Sequence, residues 1–119
     1  MTTPERSDDC LFCKIVAGDI PAEIVHATET AVAFRDVNRQ APTHVLVVPT
    51  SHYENAGELA RHEPATAAEL LTVAAHIAEK EGIEEGYRLV FNTGSGAGQT
   101  VWHAHLHVLG GRPLTWPPG

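Results

Sequence analysis

Long apolar runs are missing from this chain. No stretch approaches the roughly 20 consecutive apolar residues needed to cross a bilayer, so a membrane partner is set aside. Positive charge is also scarce, with 8 Lys and Arg against 15 Asp and Glu, for a net charge of -7. Polymeric nucleic acid is ordinarily held by a basic face, so that class of partner is set aside too. A small anion remains open, because glycine-rich backbone and imidazoles can hold phosphate without a basic surface. Cysteine is reduced to Cys10 and Cys13, too few for a disulfide framework. Their spacing reads as metal binding or redox chemistry. No basic segment leads into an apolar one near the start. Residues 1–9 therefore read as a flexible polar stretch without a signal peptide, and a cytoplasmic location is the default.

What is present fits one domain. The chain has 119 residues, 43% of them apolar, which suits a single modest core. Leu11, Phe12, Ile15 and Val16 have helical spacing, with Gly18 as a stop. Ile24 to Ala27 and Ala31 to Phe34 read as a hairpin. Pro42 introduces the buried strand His44 to Val48. Pro64 to Glu81 is the strongest helix, with Leu70, Ala74 and Ile77 on one face and Gly82 after it. Tyr87 to Asn92 and Val101 to Leu109 read as strands, and 112–119 as an extended tail. Five strands and two helices predict an α+β fold with a mostly antiparallel sheet. Its free edges make dimerisation plausible.

The abundant residue is histidine, with 8 in the chain. On a strand, His103, His105 and His107 would share one face, while Ala104, Leu106 and Val108 face the other way. Exposed strand histidines are the plain reading. Two chemical ones compete with it: a metal site built from alternate histidines, and nucleophilic attack on phosphorus by a neutral imidazole. Just upstream, Gly94, Gly96 and Gly98 allow backbone N–H groups close to an anion, and Gln99 and Thr100 add side-chain donors. A glycine loop alone could be a plain turn. Joined to three co-facial histidines, it points to a phosphate held against a nucleophile.

At these residues the chain resembles the histidine triad (HIT) superfamily. The motif is His103-Ala-His105-Leu-His107-Val-Leu109. The likeness extends to Cys10-Leu-Phe-Cys-Lys-Ile15, Gly18 to Ala22, Phe34 to Val37, Gln40 to Pro49, Gly86 to Val90, Gly110-Gly-Arg112 and the ending Trp116-Pro-Pro-Gly119, which are similar to the Hint branch. The resemblance implies a five-stranded antiparallel sheet per protomer and a homodimer with one ten-stranded sheet. It implies binding of purine nucleoside monophosphates and hydrolysis of purine nucleoside phosphoramidates through a nucleotidyl-histidine. His105 matches the nucleophile, and His107 and His44 flank the phosphate. Asp36 and Val37 lie beside ribose and base. Asn92, Gly98, Gln99 and Thr100 match phosphate-contacting positions, with Thr100 standing where many members have serine. Taken alone, Asp36, Asn92 and His44 would read as structural.

The same resemblance completes the cysteine pair. His52 and His103 would join Cys10 and Cys13 in a closed structural zinc site. His103 then leaves the chemistry to His105 and His107. His26, His62 and His76 have no such context. Other functions stay open at this point: a dinucleoside polyphosphate hydrolase, a nucleotide-binding regulatory or scaffold protein, and a metallohydrolase with the three alternate histidines as ligands.

Overall fold

The computed structural model describes residues 9–119. The expected flexible stretch 1–9 lies outside the described residues, Asp9 excepted. The expected hairpin is present as β1 (Ile24–Ala27) and β2 (Ala31–Arg35). Thr28 shapes its turn: the Ala31 N–H donates to Thr28 Oγ1 at 3.0 Å and the Thr28 N–H to the Ala31 carbonyl at 2.7 Å. β3 (Thr43–Pro49), β4 (Tyr87–Val90) and β5 (Leu106–Gly110) complete an antiparallel sheet of order β1-β2-β3-β5-β4.

β3 is buried at every position, because both faces of the sheet are covered. On one face lie Ala31, Ala33, Val45, Val47, Leu106 and Val108, packed on Leu70, Val73, Ala74 and Ile77 of helix α3 (Pro64–Lys80). On the other lie Val32, Phe34, Leu46 and Val48, covered by Phe12 and Cys13 of helix α1 (Leu11–Ala17). The side-chain period of two in β3 therefore serves two separate clusters. Truncating a fully buried residue such as Leu70 to alanine would cost about 2–5 kcal/mol. Arg35 clamps the two layers together, with a bidentate pair to Glu81 just past α3 at 3.0 and 2.9 Å.

Two expectations are corrected. A third helix, α2 (Ala56–His62), stands where none was expected. Asn55 caps it by accepting the Glu58 N–H at 3.0 Å, but Leu59 is its single buried residue, so no apolar period marks it. The last strand begins at Leu106 and not at Val101. Between them the chain leaves the ladder, and the Ala104 N–H donates to the Tyr53 carbonyl at 2.7 Å. Among the described residues no helix is long and apolar enough to cross a membrane.

Candidate active site and metal cluster

Because the sheet starts late, His103 does not share a setting with the other two histidines. It is fully buried beside Cys10 and Cys13. Its Nε2 lies 2.9 Å from the Pro49 carbonyl, which can only accept, so that nitrogen carries the hydrogen. The lone pair on Nδ1 then points at Cys10 Sγ (3.3 Å), Cys13 Sγ (3.5 Å) and His52 Nδ1 (3.2 Å), with Cys13 Sγ to His52 Nδ1 at 3.4 Å. A tetrahedral ion at ordinary zinc bond lengths separates its ligand atoms by about 3.3–3.8 Å. The spacing and the S₂N₂ donor set thus fit a closed tetrahedral site, and these four residues form a group that could hold a metal ion, consistent with zinc. Cys10 also caps α1, its sulfur accepting the Cys13 N–H at 3.4 Å. Burial, first, pushes His103 down to about 4, so its ring is neutral, as a ligand requires.

The second cluster faces a cleft of about 510 Å³. Its apolar wall is Leu11, Phe12, Ile15, Ile20 and Val37, and its polar end holds Asp36, His44, Asn92, Gly98, Thr100, His105 and His107. Val37 is fully exposed on this wall. Phe12 stands edge-on to His105, ring centroids 5.0 Å apart at 86°, which fixes the imidazole plane.

Hydrogen positions here follow from partners that can act in only one way. His105 Nδ1 is 2.7 Å from the His103 carbonyl, so Nδ1 carries the hydrogen and Nε2 keeps its lone pair. His44 Nδ1 accepts the Gln40 N–H at 3.0 Å, so the His44 hydrogen sits on Nε2. That nitrogen is 2.9 Å from His107 Nδ1 and 3.4 Å from Asp36 Oδ2. Donation to His107 Nδ1 leaves the His107 hydrogen on Nε2, a buried nitrogen with no hydrogen-bond partner among the described residues. The row of imidazoles thus ends in one lone pair and one unsatisfied N–H. Burial lowers the pKa of His44 and His105, against the opposing charge of Asp36. It pushes His107 down to about 4, with His105 and His44 adding to the shift.

Asp36 accepts the Asn38 N–H at 2.8 Å through one carboxylate oxygen. The glycine loop closes through a short 3₁₀ turn (Ser95–Ala97), with Gly94 and Gly98 at φ 86° and 88°, a backbone region that disfavours side chains. Of the expected nucleotide positions, Gln99 alone is absent from the cleft wall. Its amide is committed to main-chain groups, so the expected side-chain donation to phosphate is corrected. The triad does not gather as one set of metal ligands either: His103 groups with Cys10, Cys13 and His52, His107 with Asp36 and His44, and His105 with neither. His62 stacks on Tyr53 (5.6 Å, 7°), and His26 lies against His76 (4.8 Å).

Comparison with known proteins places this five-stranded antiparallel sheet, with its buried histidine row beside a glycine loop, in a known family. The HIT domain profile matches residues 17–114, and the chain belongs to the HIT domain family. It is 43% identical over 109 residues to the purine nucleoside phosphoramidase of Escherichia coli, covering 91% of this chain and 92% of that one. The crystal structure of a HIT family hydrolase from Legionella pneumophila superposes with a TM-score of 0.90 at 49% identity, covering 93% of this chain and 100% of that one. A histidine triad nucleotide-binding protein from Candida albicans gives 0.80 at 27% identity, with coverage of 92% and 83%.

Proposed function

We propose that this HIT hydrolase cleaves the phosphorus–nitrogen bond of purine nucleoside phosphoramidates through a nucleotidyl intermediate on His105. The observation that carries the reading is the bond from His105 Nδ1–H to the His103 carbonyl, which leaves the Nε2 lone pair as the nucleophile. Nε2 attacks the α-phosphorus and the bond to the amine breaks. The departing nitrogen takes the bonding pair and needs a proton. His107 Nε2–H or the Thr100 hydroxyl supplies it, and the His44 hydrogen can follow onto His107 Nδ1. His107, Thr100 and Asn92 hold the non-bridging oxygens as charge shifts. Asp36 accepts ribose hydroxyls, and Val37 with Phe12 and Ile15 packs the base. Water then attacks phosphorus and breaks its bond to Nε2. The hydroxyl stays on phosphorus and the released proton returns to the group that protonated the amine, giving nucleoside monophosphate and restoring His105.

In this reading Cys10, Cys13, His52 and His103 would hold a structural zinc, which would supply a cross-link to the fold and no chemistry to the reaction. The half-buried edge strand β4 supports a homodimer with a continuous sheet. The test is mass analysis of the protein mixed with adenosine phosphoramidate. We expect an added adenylyl group on His105, absent after His105→Ala. Turnover undiminished by that substitution would overturn the reading.

A further inference from the structure

Gln99 stands between two residues of the cleft wall, Gly98 and Thr100, yet it is only 2% exposed and its side chain turns inward. Its Oε1 accepts the Gly94 N–H at 2.9 Å. Its Nε2 donates to the Glu54 carbonyl at 2.7 Å and the Val101 carbonyl at 3.1 Å. One partner can only donate and two can only accept, so a flipped amide would lose all three bonds. The Gln99 N–H closes the same neck, donating to the Gly94 carbonyl at 3.1 Å. The two carbonyls belong to residues two positions from metal-cluster members: Glu54 follows His52, and Val101 precedes His103.

We propose that Gln99 is a positioning residue that hangs the neck of the glycine loop on the main chain flanking His52 and His103. The metal cluster and the loop, which share no side chain, are thereby one mechanical unit. An ion holding His52 and His103 in register also holds Glu54 and Val101, and through the Gln99 amide it holds Gly94 and the turn that follows. The inference rests on the proposed role of that loop in seating phosphate. The strap is local and buried, so its loss should disturb the loop before it disturbs β3 or β5.

The experiment uses metal-loaded protein, wild type and Gln99→Met, which keeps length and burial but removes both donors and the acceptor. Gln99→Asn, polar but too short to span, serves if the methionine variant does not fold. Amide hydrogen exchange at Gly94 should rise about tenfold or more, the scale of one lost buried hydrogen bond, while β3 and β5 stay protected. With adenosine phosphoramidate, kcat should fall about 10²-fold, as for an ångström-scale misplacement, with KM moving less than the rate. Chelating the metal should loosen the loop further in wild type and add little in the variant. Unchanged Gly94 exchange in the variant, or wild-type kcat, overturns the proposal, as does an equal effect of chelation on both proteins. If wild type forms no nucleotidyl adduct, the proposed reaction fails, and the exchange measurement still decides the strap.

Discussion

Two groups of side chains, each built around buried imidazoles, lie within a few residues of one another in sequence and do opposite things. In the thiol group, His103 gives its Nε2 hydrogen to a carbonyl and turns Nδ1 toward two sulfurs and His52. In the cleft group, His105 does the reverse, giving up the Nδ1 hydrogen and presenting Nε2. The two histidines are joined by a single bond, since the carbonyl that orients His105 is that of His103. Residue type and burial are shared. Under the proposed function, what would separate a holding imidazole from a reacting one is which ring nitrogen a backbone carbonyl occupies.

That contrast can be broken in graded steps. His105→Ala should reduce phosphoramidate turnover by roughly 10⁴-fold or more while nucleoside monophosphate still binds, because the nucleophile is lost and the cleft is kept. Steady-state kinetics beside equilibrium binding decide it. Next, His107→Gln should cost about 10²–10⁴-fold in kcat, the usual range for a positioned acid, with metal content unchanged by elemental analysis. A variant that loses metal would merge the two groups into one. Cys13→Ser should act the other way. Bound metal should drop and the thermal midpoint fall on the order of 10 °C, equivalent to a few kcal/mol, while the protein that stays folded still forms the His105 adduct.

The mildest test is pH. His107 is pushed down to about 4, chiefly by burial, and His44 is lowered for the same reason. An unfolded histidine titrates near 6.5. In between, the unfolded chain binds a proton that the folded chain refuses, so stability is full above about 6.5 and declines as pH falls toward 4. One such group sets a slope of at most about 1.4 kcal/mol per pH unit. Urea midpoints across pH 7.5 to 5 should show the decline and His107→Asn should make it shallower, the other buried histidines keeping their share. A wild-type protein that gains stability on acidification would contradict the assignment.

Much of the architecture was legible because apolar spacing marks it: the hairpin, β3 and α3 fall within a residue or two of where the pattern puts them. Helix α2 was not, since seven residues with one buried leucine carry no period, although Asn55 with Glu58 was a usable capping signal. The strand pattern misplaced His103, because alternation presumes a continuous ladder and the ladder is interrupted by the Ala104 bond to Tyr53. Gln99 was read as a donor to phosphate from its place in the loop. A glutamine amide reaches several ångströms, and nothing in a linear pattern shows that the Glu54 carbonyl lies within its range.

Val37 stands wholly in water on the wall of the cleft. An apolar side chain left hydrated in this way ties binding to the release of its solvent, and the trace of that release is calorimetric. The enthalpy of binding nucleoside monophosphate should grow more exothermic on warming, and Val37→Ser should shallow that slope. A wall of this kind grips a flat ring by its area and discriminates poorly between rings that differ only at their hydrogen-bonding edges.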